Sequence, residues 1–477
     1  VSSPLASRWI VLGVVGLAQF MVLLDATVVN IALPSIQRSL HLSIASLQWV
    51  VNAYTLAFGG FLLLGGRVAD LLGRKRTLTA ALIVFLVSSL VNGLAGSAVV
   101  LVAGRGMQGL SAAFIAPTTL SIIVTTFTEE SERMKALAVW SAIAAAGGGF
   151  GLLLGGLLTY ALSWHWIFLI NVPLTMIAVA TARRWVPESR GSLSERRFDT
   201  LGAALATAGL VVLVYAIDKA QTFGWLSLRM LGLALLAIAL LTSFAAVEQR
   251  ARAPLVRLRV LRTRPLAGAN AIAMLVVSGA FATFLFASIY AQEVLGYSPL
   301  KTGLAFLPIT AGILLGSGMS QALLPRVGLR HAGIGGLVLA LLGMALLTRI
   351  AVRGEYTLNL LIGLFPLALG LGVALVPITM LATSGVDADD AGLASGLYNT
   401  AQQVGGALGL ALLSTLAAER TASALATHGN DHTLALVLGL RVAITVGALL
   451  IGAGTVLLAL LPLSPSDAPA LAEQEAA

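Results

Sequence analysis

The stretch Leu23-Leu24-Asp25-Ala26-Thr27-Val28-Val29-Asn30-Ile31-Ala32-Leu33-Pro34 closes an apolar run that begins at Trp9. At about 1.5 Å of rise per residue, a helix over 9–33 is long enough to cross the roughly 30 Å hydrocarbon layer of a bilayer. Asp25 is the only ionisable side chain in that run. A charge at mid-depth costs at least ~2.5 kcal/mol, so Asp25 faces a protein-lined cavity, carries a proton, snorkels to the interface or hydrogen-bonds a neighbouring helix. An acid that holds a proton and is reachable from water is what a proton-driven carrier requires.

The composition around this stretch agrees with a membrane span. Of 477 residues, 58% are hydrophobic and 10% charged, with mean hydropathy +0.96, values that no soluble globular domain approaches. The reading is an all-α, polytopic membrane protein. Its 50 glycines fit that class, because small residues let transmembrane helices approach closely. With Cys 0, disulfides, thiolate chemistry and Cys-based metal sites are excluded. The net charge of +9 does not argue for nucleic acid, since in such a protein the position of Lys and Arg matters more than their sum. The absence of any Gly-Lys pair excludes a Walker A loop, which makes ATP a poor driver. The first apolar run lacks a short core followed by Ala-x-Ala and reads as a retained span.

Fourteen apolar spans are expected, near 9–33, 47–65, 77–97, 99–126, 135–160, 166–184, 200–219, 228–247, 266–292, 302–323, 331–350, 357–382, 391–417 and 440–462. With the N-terminus inside, cytoplasmic segments hold about 20 of the 29 Lys and Arg, which sets both termini in the cytoplasm. Basic linkers at 183–197 and 250–264 bracket spans 7 and 8. They divide the chain into a six-helix bundle (1–184), an inserted two-helix segment (185–264), a second six-helix bundle (265–463) and a short acidic, Pro/Ala-rich tail (464–477). A repeat supports the division. Gly66-Arg67-Val68-Ala69-Asp70-Leu71-Leu72-Gly73-Arg74-Lys75-Arg76 follows span 2, and a weaker echo, Pro325-Arg326-Val327-Gly328-Leu329-Arg330, follows span 10. Two similar halves around a midplane site are a common transporter plan.

Depth connects Asp25 with Arg105, the one basic residue inside span 4. They lie about 12 and 9 Å below the outer ends of their antiparallel spans, so they can meet. An arginine favours the ionised carboxylate and desolvation the protonated one, so separating the pair would change how tightly the acid holds a proton. The alternative is a structural arginine satisfied by backbone carbonyls. In span 5, Gly147, Gly151 and Gly155 form a bare helical stripe for close packing. Ser395, Asn399, Gln402 and Gly406 share one face of span 13, and those amides either line a cargo cavity or join helices. Asn30, Tyr54 and Gln108 are assigned to the cavity with them. Aromatics such as Phe58, Phe281, Phe284 and Tyr290 either stack on cargo or fill the core. Asp218 and Glu293 fall at outer span ends, and His165 stands alone without ligand partners.

The chain resembles the major facilitator superfamily, specifically its fourteen-span drug:proton antiporters, over nearly its whole length. Gly66 to Arg76 resembles the superfamily's signature between spans 2 and 3, with Leu71 where a basic residue is frequent. Asp25 to Pro34 resembles the first-span signature of these exporters. Arg105-Gly106-Met107-Gln108-Gly109 resembles the span 4 motif associated with proton coupling, and Trp164-His165-Trp166-Ile167-Phe168 with Asn171-Val172-Pro173 resembles the start of span 6. Gly151 to Gly156 matches the antiporter motif except for Leu152 where a proline is expected. The resemblance implies proton-coupled export of lipophilic drugs or antibiotics by alternating access, with Asp25 and Arg105 coupling the proton. Asp70 and Arg74, four apart and flanked by Gly66 and Gly73, would form an inner gate. The expected partners are a small lipophilic substrate, protons and the bilayer, with no cofactor, no metal, no nucleic acid and a monomeric state. An uptake carrier of the same fold and a non-transporting sensor remain alternatives. An enzyme is disfavoured because no nucleophile or metal constellation is visible.

Overall fold

The computed structural model describes residues 4–190, 200–250, 264–383, 391–428 and 431–462. Within the helices, the side chains of Arg67, Asp70, Asp218 and Ser395 lie outside the described residues, as does the tail 464–477. All regular structure in the described residues is helical. The order is α1 Pro4–Leu40, α2 Ile44–Leu72, α3 Arg74–Gly93, α4 Ala98–Thr126, α5 Glu130–Ala161, α6 Trp166–Leu169, α7 Asn171–Trp185, α8 Thr200–Phe223, α9 Leu228–Arg250, α10 Arg264–Ile289, α11 Pro299–Ala305, α12 Leu307–Leu347, α13 Ile362–Thr383, α14 Ala391–His428 and α15 His432–Leu460. Short π-helical turns, Tyr290–Val294 and Tyr356–Leu361, extend α10 and precede α13.

Capping explains where several helices begin. Ser43, Ser97 and Asp431 each accept a hydrogen bond from the backbone N–H three residues on, at 3.1, 3.5 and 2.9 Å. Ten helical segments among the described residues are long and apolar enough to cross a membrane, and thirteen helices have 15 residues or more. The fourteen expected spans thus appear as thirteen long helices. Those expected at 302–323 and 331–350 fall on the two helical arms of the 41-residue element α12, which is broken at Gly328 (φ 76°, ψ 166°). The α2–α3 corner uses the same device at Gly73 (φ 109°). Both glycines lie in the repeated basic loops, and a left-handed φ is available to glycine without steric penalty.

The helices gather into two compact units: Val1–Val211, Ile238–Leu255 and Ser298–Leu304, then Val212–Ala237, Val256–Tyr297 and Ala305–Ala477. In the first, α1 packs on α5, and α4 on both α2 and α3. Val15, Met21, Val22, Leu82, Phe85 and Ile115 belong to its buried core. Gly147, Gly151 and Gly155 lie against α1. A Cβ at Gly147 would stand 2.7 Å from the Phe20 carbonyl and one at Gly155 2.5 Å from that of Val28, while at Gly151 it would collide with Thr27 Oγ1. α5 runs uninterrupted past Leu152. In the second unit, α10 packs on α14 and α15, and α12 on α13. Ser278 Oγ donates to Gly405 O at 2.7 Å, and Trp225 Nε1 to Glu419 Oε1 at 3.0 Å.

Candidate functional site

Asp25 ends in a fully buried carboxylate in the first unit. Arg105 Nη1, from α4, stands 2.6 Å from its Oδ2. The other oxygen, Oδ1, accepts from Gln108 Nε2 at 3.1 Å and from Asn171 Nδ2 at 2.8 Å. The carboxylate thus meets one charged and two amide donors. Arg105 also donates through Nε to Val50 O on α2 at 3.0 Å and through Nη1 to Gln108 Oε1 at 3.0 Å. Its guanidinium carbon lies 4.3 Å from the Tyr54 ring centroid and 5.8 Å from that of Phe168, placing the cation over aromatic faces.

A second layer orients the amide of Gln108. Nε2 also donates to Ser89 Oγ at 2.8 Å, while Oε1 accepts from Asn92 Nδ2 at 2.5 Å, both from α3. Tyr54 Oη donates to Val22 O at 3.2 Å, one turn before Asp25. The network therefore draws on α1, α2, α3, α4, α6 and α7. Such a set is costly unless every member finds a partner.

The structure brings Asp25 and Arg105 together. It also moves two residues from their expected place: Gln108 and Tyr54, assigned to the cavity wall, are sealed within this network (0% and 1% exposed). The reason is chemical. A buried carboxylate with two lone-pair-bearing oxygens needs more donors than one arginine supplies. Ser89 and Asn92 complete the network without standing out in the sequence, and Asn171 stands there only as part of a motif. Isolated polar residues on the inner face of an apolar span are the signal that marks them.

Of the other cavity candidates, Asn30 and Gln402 are half-buried and Asn399 is exposed, while Ser395 lies outside the described residues. Tyr290 is tied to a loop, donating through Oη to Ala351 O at 2.7 Å. His165 stacks on Trp164 at 3.7 Å between ring centroids, and partial burial holds its imidazole below the usual histidine range.

At the α2–α3 corner, Arg74 is buried and Gly73 supplies the turn, while the Asp70 side chain lies outside the described residues. Gly66 sits beside Pro117, whose Cβ is 3.5 Å from where a glycine-replacing Cβ would stand. The segment after α7 closes over this corner. Arg74 N donates to Ser189 O at 2.9 Å, Lys75 N to Glu188 Oε1 at 3.2 Å, and Arg76 Nε lies 3.6 Å from Glu188 Oε2. Glu188 thereby places a negative charge at the N-terminus of α3, the favourable end of the helix dipole.

The chain is 43% identical over 458 residues to the puromycin resistance protein pur8 of Streptomyces alboniger, covering 94% of this chain and 91% of that one. It is 37% identical over 426 residues to the cephamycin export protein CmcT of Amycolatopsis lactamdurans, covering 87% and 86%. Among solved structures, a bacterial homolog of the human lysosomal transporter Spinster matches with a TM-score of 0.69 at 15% identity, over 98% of this chain and 100% of that one. The POT family transporter PepTSo matches at 0.70 and 15%, over 97% and 100%. At such identities these two speak to fold alone. Residues 15–410 match the profile of the Major Facilitator Superfamily, and the chain, a multi-span membrane protein, belongs to that family.

Proposed function

We propose that the protein is a proton-driven secondary transporter that exports lipophilic drugs or antibiotics across the cytoplasmic membrane by alternating access. The observation that carries this reading is the enclosed Asp25 carboxylate, whose donors come from α4 and α7. A proton arriving on Asp25 removes the charge that holds Arg105. Arg105 then keeps only the neutral acceptors Val50 O and Gln108 Oε1, and the uncompensated buried cation favours a rearrangement that exposes or re-pairs it. The helices contributing to the network are thereby free to part. Departure of the proton on the opposite side restores the pair and resets the carrier. The names of the relatives, one for puromycin resistance and one for cephamycin export, support small antibiotics as the cargo class and transport over enzymatic chemistry.

The remaining parts follow the same reading. α12 crosses twice, with Gly328 at its corner, which gives fourteen crossings as two six-helix bundles (1–184 and 265–463) and an inserted pair (185–264). Both termini are cytoplasmic. Asp70, Arg74, Gly66 and Gly73 form the inner gate, strapped by Glu188. Asn30, Asn399, Gln402 and Ser395 line the cargo path, whereas Tyr54 and Gln108 serve the coupling network. The working unit is a monomer. With one acid and one arginine in the network, the cargo is a neutral or singly charged amphipathic molecule; sugars would leave too many hydroxyls unpaired.

Energised inside-out vesicles test the proposal. Adding cargo releases protons and accumulates cargo, and Asp25→Asn abolishes the proton release while the protein remains folded. Unchanged proton release by that variant removes Asp25 from the coupling role, and cargo leaving the vesicles instead makes the protein an uptake carrier.

A further inference from the structure

His165 takes no part in the hydrogen bonds around Asp25, yet a chain of ring contacts joins it to them. It sits half-buried in the turn between α5 and α6, just before the membrane-crossing segment that starts at Trp166. Its ring lies on Trp164, 3.7 Å between centroids with 24° between planes. Trp164 in turn meets Phe168 edge to face, at 6.4 Å and 87°. Phe168 lies under Arg105, whose guanidinium carbon is 5.8 Å from its ring centroid. The contacts thus run from an imidazole at the rim to the arginine that pairs with Asp25. Trp164 and Phe168 are both buried, and in a close-packed interior neither ring shifts without moving what it touches.

The backbone joins the same residues a second time. Phe168 N and Leu169 N donate to His165 O at 3.1 and 3.2 Å, so His165 opens the short helix α6, after which Asn171 donates to Asp25 Oδ1. The imidazole itself is held by the Ala95 backbone, between α3 and α4, and by Ser163 Oγ, 3.4 Å from Nδ1. Burial disfavours the charged ring more than the Ala95 contact favours it. Above about pH 6.5, the ordinary imidazole value, the neutral ring therefore keeps its seat, and below it protonation favours conformations in which the ring leaves for water. At the same end of the neighbouring helices the titratable groups are Arg38 and His41 at the close of α1 and Tyr160 in the last turn of α5, and none of them acts on the ring among the described residues. The charged groups beneath it are Asp25 and Arg105 themselves.

We propose that His165 is a positioning residue that reads the pH of the compartment it faces and passes it, through Trp164 and Phe168, to the Arg105–Asp25 pair. The inference rests on the reading of Asp25 as the proton-coupling acid. In the orientation proposed above, the compartment is the exterior, from which the driving protons come. A charged imidazole that leaves its seat withdraws the support of Trp164 from Phe168 and slackens the turn that aims Asn171, so the network loosens when external protons are plentiful.

Two measurements test this. In hydrogen exchange of the purified full chain, the amides of 166–171 should exchange about threefold faster in wild type than in His165→Gln at about pH 5.5 and equally at about pH 8, the same-pH ratio cancelling the intrinsic chemistry of exchange. In vesicles held at a fixed pH difference, the driving force stays constant while the pH on the His165 side is varied. Cargo-induced proton release should then show a histidine-like step in wild type that His165→Gln and His165→Arg, neither of which titrates in this range, both lose. An exchange ratio that does not change with pH, or a step that survives in both variants, would overturn the proposal. Exchange needs neither cargo nor a gradient, and failure of the coupling reading would show in Asp25→Asn whatever the exchange ratio is, so the two failures are distinguishable.

Discussion

Asn171 Nδ2 and Asp25 Oδ1 stand 2.8 Å apart, joining the first helix to the start of α7 across 146 positions of sequence. The contact ties the first residue of α7 to the buried Asp25 network. Asn171→Ala removes one donor from the ionised carboxylate, a loss of about 1–3 kcal/mol. Because that donor bears on the proton balance of the carboxyl group, the pH profile of transport should change when it is removed. An unchanged profile in reconstituted vesicles would reduce Asn171 to a packing residue.

The Glu188 strap yields a second expectation. Its ion pair with Arg76 is exposed and contributes little, so the main contribution should be the carboxylate at the start of α3, worth about 0.3–1 kcal/mol. Glu188→Gln keeps the shape and loses the charge. In the natural Cys-free background, a cysteine placed at Ser189 should then react with a maleimide up to about fivefold faster. An equal rate would show that the strap is held by the Arg74 N–H to Ser189 O bond alone.

The glycine stripe on α5 gives a third. At Gly155 a Cβ meets the Val28 carbonyl, which is backbone and cannot swing aside, whereas at Gly13 nothing lies within 4 Å. Gly155→Ala should therefore destabilise the purified protein by about 1–3 kcal/mol, and Gly13→Ala should be neutral or slightly stabilising. Thermal melts of the two variants give the comparison; similar melting would place the close approach of α1 and α5 in doubt.

A fourth concerns the corner of α12. A Cβ at Gly328 meets nothing within 4 Å, so Gly328→Ala tests backbone conformation alone. At φ 76° the expected cost is about 1–2 kcal/mol, with Gly328→Asn milder because asparagine tolerates that region. If alanine melts no lower than asparagine, the corner does not require a left-handed residue.

What the sequence revealed followed from its physics. Long apolar runs declare helices because a bilayer leaves an unpaired backbone no alternative. A lone acid and a lone arginine in two such runs could be paired by depth, and the contact at 2.6 Å agrees with that arithmetic. Asn171, Ser89 and Asn92 were harder to see. Depth along one helix says nothing of rotation about it, and a single amide or hydroxyl in a span has many ordinary uses. Gln108 shows the same difficulty in reverse, since a polar residue one turn from Arg105 points equally well to a cavity or to a neighbour. The corner at Gly328 could be suspected from the loop echo, and its non-helical backbone separates two helical arms. Glu188 lies in a charged linker that reads as a topology signal, and its place on α3 is a tertiary fact.

The Asp25 carboxyl group has no surface open to water. A carrier that let this acid exchange protons with both compartments would dissipate the gradient without moving any cargo. In the proposed proton-driven cycle, enclosure acts as insulation: the proton is swapped only while the surrounding helices stand apart, so leakage is limited by the rate of a large rearrangement and not by the speed of proton hopping. Under that constraint, substitutions that merely loosen the wall around Asp25 should harm a cell through wasted current before they harm export.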